Sequence, residues 1–178
     1  MRRVGYLAAA IAVASFVNPV LAQQQRASPK DTVTATVGGA KIEITYSRPS
    51  KKGRQIWGGP LLDVPSKEVW RLGANEATTL TTNATLLFGS TSVPAGQYTL
   101  FFAHAASGTE QLIINKQTGQ WGTEYDQKQD LGRVDLKMDK VTTPVEQLTI
   151  SVEPQGNGGV LKIAWDDRTY STAFTVQK

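Results

Sequence analysis

Residues 46–79 hold most of the side chains in this chain that could bind or transform a small molecule. The first part of this segment is basic and contains no acidic residue between positions 43 and 63; its cations are Arg48, Lys51, Lys52 and Arg54. Pro49 favours an extended backbone at Arg48, and Gly53 permits a sharp turn. Such a loop can present guanidinium groups and backbone amides to a carboxylate, phosphate or sulfate. The alternative is a structural loop whose arginines pair with Glu68 and Glu76 to pin a long connection onto the fold.

The second part of the segment places two tryptophans near polar and charged residues. An indole face can stack on a sugar or another flat ligand, while amide, carboxylate and guanidinium groups bind its hydroxyls. The alternative is that both tryptophans are core residues that close one end of the fold, because large aromatic side chains are usually mostly buried. The candidate ligand-binding residues are Arg48, Arg54, Trp57, Trp70, Arg71, Asn75 and Glu76.

Catalysis in this segment would depend on Glu76 as a general acid or base, with Arg71 tuning its pKa. A second carboxylate would have to come from Glu68, Glu124 or Asp126, and sequence spacing fixes no distance between them.

Other catalytic and metal sites find little support. The chain has no Cys, which excludes thiol catalysis and cysteine zinc sites, and its single His argues against a triad or a histidine metal centre. Glu124, Asp126 and Asp130 form an oxygen-rich loop, but their spacing matches no EF-hand. We expect no metal and no cofactor.

The rest of the chain predicts β-strands, since apolar residues recur at every second position and no window has a sustained helical period. Residues 41–46 place Ile42, Ile44 and Tyr46 on one face, and Gly38-Gly39 before them suits a tight hairpin turn. Asp166-Asp167 predicts the turn of a last hairpin between residues 160–165 and 169–176, and residues 133–140 predict one strand.

About nine or ten short strands at regular spacing predict an all-β protein with a single antiparallel β-sandwich over residues 32–178. A jelly-roll-like or barrel-like arrangement is the alternative. Residues 23–31 are polar and predict a flexible leader.

The N-terminus predicts export. Arg2 and Arg3 precede an apolar run, and Val20-Leu21-Ala22 is a small-x-small cleavage signal, so residues 1–22 have the pattern of a secretory signal peptide. An uncleaved anchor is the alternative. Cleavage near Ala22 would leave 156 of the 178 residues and lower the net charge from +4 to +2, because both arginines leave. A nearly neutral mature chain does not indicate nucleic-acid binding. We expect a periplasmic or secreted protein with no transmembrane span in its mature chain.

Several motifs together resemble one family. They are Tyr46-Ser47-Arg48-Pro49-Ser50, Lys52-Gly53-Arg54, Ile56-Trp57-Gly58, Val69-Trp70-Arg71 with Gly73-Ala74-Asn75-Glu76-Ala77-Thr78, Pro94-Ala95-Gly96-Gln97-Tyr98-Thr99-Leu100, Asn115-Lys116, Trp121-Gly122 with Tyr125-Asp126, and Pro144-Val145-Glu146. This set resembles the bacterial domain-of-unknown-function 2911 family over essentially the whole mature chain. The resemblance implies an exported protein and no particular chemistry.

These observations favour a non-enzymatic periplasmic or secreted binding module for a small anionic or carbohydrate ligand. Two alternatives stay open. One is a structural or assembly protein of the cell envelope, in which an exposed edge strand recruits a partner. The other is a hydrolase or lyase that uses Glu76.

Overall fold

The computed structural model describes residues 26–59, 62, 69–104 and 108–177. Within these residues the chain forms eleven β-strands and one 3₁₀ turn (Gln127–Gln129) and no α-helix. The strands are β1 (Lys30–Val37), β2 (Ala40–Ser47), β3 (Val69–Trp70), β4 (Thr78–Thr82), β5 (Leu86–Phe88), β6 (Thr91–Val93), β7 (Gly96–His104), β8 (Glu110–Asn115), β9 (Asp130–Asp135), β10 (Lys137–Gln155) and β11 (Gly158–Val176).

The strands form two antiparallel sheets that pack as a sandwich and do not close into a barrel. The larger sheet has the order β1-β2-β4-β7-β8-β9, with β3 also pairing β7, and the smaller sheet has the order β10-β11-β5-β6. The predicted all-β sandwich class is therefore confirmed, with β3 and β6 as short strands that the sequence pattern did not predict.

The first hairpin illustrates how the local pattern sets the larger sheet. Ile42, Ile44 and Tyr46 are all buried, as their alternation predicted. Gly38 and Gly39 have φ values of 56° and 89°, which a two-residue hairpin turn with the right twist requires. This turn sets the register in which Val37 pairs with Ala40.

The core lies between the two sheets. Residues such as Leu80 and Leu100 from the larger sheet face Ile150 and Ile163 from the smaller one. The Tyr46 hydroxyl accepts a hydrogen bond of 2.9 Å from the Ile150 amide, which joins the two sheets through their interior. Burial raises the pKa of the Tyr46 phenol.

Two predicted boundaries are wrong. The predicted strand over residues 133–140 is two strands, because buried Leu136 marks the point where the chain leaves β9 in one sheet and enters β10 in the other. The predicted hairpin at Asp166-Asp167 is absent, since β11 runs without interruption through both residues. Asp166 instead has a left-handed backbone, with φ of 53°, opposite a register shift in β10, so it forms a bulge.

The first strand begins before the predicted end of the leader at residue 31. β1 begins at Lys30, so Lys30 and Asp31 belong to the first strand rather than to the leader. Residues 1–22 lie outside the described residues, and the signal peptide remains a prediction from the sequence. Across the described ranges, no helix is long and apolar enough to cross a bilayer.

Candidate functional site

A cleft of about 460 Å³ opens among four segments of the described chain. One wall is the basic loop, residues 49–54, and a second is the segment that contains β3, residues 69–74. Residues 122–125 and residues 27–28 complete the sides, while Leu62, Phe101 and Trp165 add apolar surface. The cleft therefore depends on residues far apart in the sequence.

The described residues that line the cleft carry a net positive charge. Lys52, Arg54 and Arg71 line it, and no acidic residue of the described chain does. Arg54 donates from Nε to the Lys51 carbonyl (2.9 Å) and from Nη2 to the Ser50 carbonyl (2.5 Å), so it meets backbone oxygens of its own loop and no described carboxylate. Arg71 has neither an ion pair nor a hydrogen bond with any described residue. An anion in the cleft would therefore meet cationic groups that are not already neutralised by described acids.

Arg71 is held in place by the backbone around it. Leu72, the residue after Arg71, is fully buried and has a left-handed backbone with φ of 48°. The Leu72 carbonyl accepts a hydrogen bond of 2.8 Å from the Thr78 hydroxyl. The stem of Arg71 lies on Gly122, where an added Cβ would come within 2.7 Å of Arg71 Cδ. A left-handed non-glycine residue is costly, and such strain is typical of segments that position a functional group.

The apolar side of the cleft is aromatic. Trp70 is half-buried, lines the cleft and stacks on Trp165 with ring centroids 5.6 Å apart and an interplanar angle of 19°. Trp57 is only 5 % exposed and does not line the cleft. Its indole Nε1 donates to the Trp165 carbonyl at 2.8 Å, and its ring lies 4.9 Å from that of Tyr170. Of the two predicted stacking residues, only Trp70 reaches the cleft, and Trp57 is a core residue.

Arg48 lies away from the cleft lining and joins the two sheets. Its Nε donates to the Leu148 carbonyl at 2.9 Å, and its Nη2 donates to the Thr149 hydroxyl at 2.9 Å. Its Nη1 forms an ion pair with Asp31 at 3.0 Å. These contacts join β1 of the larger sheet to β10 of the smaller one, which makes Arg48 a clasp between the two sheets.

The side chain of Asn75 also forms its hydrogen bonds within the protein. Its side-chain amide donates to the Ser47 hydroxyl at 3.3 Å and to the Ser28 carbonyl at 3.4 Å. Its φ of 60° is a conformation that Asn tolerates better than most residues. Asn75 thus shapes the turn after Arg71 rather than lining the cleft.

Glu76 lies in a separate depression of about 140 Å³, beside Lys30 and Gln120. Its two carboxylate oxygens accept hydrogen bonds of 2.5 and 2.7 Å from Nη1 of Arg26. This hydrogen bond lowers the pKa of Glu76 below its ordinary value. A carboxylate so stabilised is poorly suited to act as a general acid or base near neutral pH. The expected pairing of Glu76 with the basic loop is absent, and Glu68 lies outside the described residues.

The acidic loop of residues 124–130 has structural partners. Asp130 accepts hydrogen bonds from the Asn115 amide (2.8 Å), the Tyr125 hydroxyl (2.7 Å) and the Arg133 guanidinium (3.2 Å). Burial and the bond to Asp130 raise the pKa of Tyr125 to about 12. Asp126 caps the 3₁₀ turn by accepting from the Lys128 amide at 3.0 Å. Among the described residues no group of three or more acids and histidines is arranged to hold a metal.

Tyr125 and Lys52 line the cleft, and neither is among the candidate residues that the sequence indicates. Lys52 and Lys51 are neighbours in the basic loop, and the sequence does not show which of them faces the cleft. Lys51 forms an ion pair with Asp166. The Tyr125 hydroxyl is bonded to Asp130 (2.7 Å) and Arg133 (2.9 Å), a placement that the local sequence does not indicate.

A family model for proteins of unknown function, DUF2911, matches residues 28–174. The chain belongs to the DUF2911 family. The match covers all the segments that form the cleft except Ala27, so the cleft lies within the part of the chain that defines DUF2911 proteins. No match was found among curated proteins or among solved structures.

Proposed function

We propose that this DUF2911 protein is an exported, non-enzymatic binding protein whose cleft takes a small anionic ligand with a flat or apolar face. Sugar acids and aromatic carboxylic acids have this chemistry. The observation that carries the proposal is Arg71, a half-buried guanidinium in the cleft with no partner among the described residues.

The residue types around Arg71 support a ligand with two unlike sides. Arg71 and Arg54 supply planar donors for a carboxylate or phosphate, and Lys52 adds a third positive charge. Trp70 and Tyr125 offer aromatic surface to a ring. The cleft volume of about 460 Å³ lies within the range of small-molecule sites.

The two alternatives have less support. Catalysis by Glu76 would need this carboxylate in the main cleft, whereas it lies in another depression and pairs with Arg26. Recruitment of a partner strand would need an open, regular edge. The first half of β10, one of the two edge strands of the smaller sheet, carries Lys137, Lys140, Pro144 and two register shifts, and these features discourage strand addition at that edge.

The proposal is tested by thermal shift on the processed protein with hexuronic acids, aromatic carboxylic acids, inorganic phosphate and neutral hexoses. We expect at least one anion to raise the melting temperature and neutral hexoses to have no effect. A ligand at about 100 times its Kd would add about 2.7 kcal/mol to the free energy of unfolding.

Arg71→Gln should weaken binding of that anion about 10- to 100-fold, because one charge-assisted contact is lost. Lys137→Gln is the matched control, since it removes one exposed cation outside the cleft lining and should leave Kd unchanged. The proposal fails if no anion shifts the melting temperature, or if both variants weaken binding equally.

A further inference from the structure

The residues just before β1 form one side of the cleft. Ala27 and Ser28 line it, although neither belongs to a strand. Residues 26–29 therefore continue the line of β1 along one side of the cleft, and their position sets how wide the cleft is on that side.

The links that hold this extension weaken towards Arg26. At Pro29 the carbonyl accepts a backbone hydrogen bond of 2.8 Å from Arg48. At Ser28 the carbonyl accepts only a long bond of 3.4 Å from the Asn75 amide. At Arg26 the link is an ion pair with Glu76, in which both side chains are largely in water, at 56 % and 43 % exposure.

We propose that residues 26–29 form a strap that closes one side of the cleft, with the Arg26–Glu76 pair as its latch and Pro29 as its hinge. An exposed ion pair forms and breaks easily and is screened by salt, whose Debye length is about 8 Å at physiological ionic strength. The strap opens when the latch is broken, and its role as a gate for ligand rests on the function proposed above.

The Arg26–Glu76 latch gives Glu76 a structural role that fits its place outside the main cleft. Glu76 follows Arg71 on the same turn but projects into the other depression. There it holds the strap at the side of the cleft that Arg71 lines. One segment thus carries both the anion-binding cation and the anchor of the strap.

Spin labels can test the strap without a ligand, because the chain contains no cysteine of its own. Ala27→Cys and Thr123→Cys place one label on the strap and one on the loop of residues 122–125, at two exposed positions that line the cleft. The distance between the labels is measured by pulsed electron paramagnetic resonance. We expect a narrow distribution in the otherwise unchanged protein.

Glu76→Gln should broaden this distribution at least about twofold, and Arg26→Gln should do the same. Raising the salt concentration should broaden it in the unchanged protein and have little effect in either variant. Lys162→Gln is the matched control, because it breaks another exposed ion pair, with Glu153 (2.6 Å), that does not touch the cleft.

The strap is refuted if Glu76→Gln and Arg26→Gln leave the distribution narrow, or if Lys162→Gln broadens it equally. Circular dichroism confirms that each variant is folded. Because no ligand enters this experiment, a strap that opens as expected together with a silent ligand screen would refute the proposed function alone.

Discussion

Two arginines of the same segment have opposite surroundings. Arg48 donates to Leu148 and Thr149, about a hundred residues further along the chain, whereas Arg71 has no partner among the described residues. Nothing in the local sequence separates them, because the partner of a guanidinium is decided by which distant strand lies beside it. The local sequence therefore indicates a segment rich in charged residues but not which of them line the cleft.

This difference predicts opposite effects on stability. Arg48→Gln should lower the free energy of unfolding by about 1–3 kcal/mol, because a partly buried group loses its hydrogen bonds to both sheets. Arg71→Gln should change it by less than about 0.5 kcal/mol. Urea denaturation followed by circular dichroism measures both. Equal losses would mean that Arg71 has a structural partner.

At the scale of elements, alternation predicted strands well and predicted breaks in strands poorly. Alternation alone predicts that Ile42, Ile44 and Tyr46 lie on the buried face, because this signal is local, and all three are buried. Asp166-Asp167 carries an equally local turn signal, yet it lies inside β11. The buried Asp166 carboxylate pairs there with Lys51 of the basic loop, and this long-range contact favours a bulge over a turn.

The bulge predicts unequal roles for two neighbouring aspartates. Asp166→Ala should destabilise the protein by about 1–3 kcal/mol, because it removes the partner of Lys51 and places Ala at φ of 53°. Asp166→Asn should cost less, since Asn tolerates the left-handed backbone. Asp167→Ala is the control and should cost less than about 0.5 kcal/mol. Thermal denaturation distinguishes these outcomes, and equal losses at both positions would indicate a turn.

At the scale of the whole molecule, four described tyrosines, three in strands and Tyr125 in a loop, have a raised pKa in the folded state. Burial raises the pKa of Tyr46, Tyr98 and Tyr170, and Tyr125 reaches about 12. A phenol whose pKa is higher in the folded than in the unfolded protein contributes stability that is fully present below about pH 10. That stability is lost as the pH rises through the folded pKa.

We therefore expect alkaline unfolding and tyrosine ionisation to occur together. An absorbance titration of tyrosinate should show none of these four residues ionising near pH 10 in the folded protein, and circular dichroism should lose its β-signal over the same pH range as the absorbance rise. A tyrosine that ionises near pH 10 while the β-signal is intact would contradict this prediction.

The position of β11 limits the order in which the molecule can fold. It is the last of the eleven strands, yet it lies inside the smaller sheet, between β10 and β5. Strand β5, which contains the buried residues Leu86 and Phe88, therefore pairs with the end of β11, which is synthesised about ninety residues later. Early strands such as β1 and β2 can pair before β11 has been synthesised. The core between the two sheets therefore closes only after β11 has been made, whichever pairs form earlier among the preceding strands.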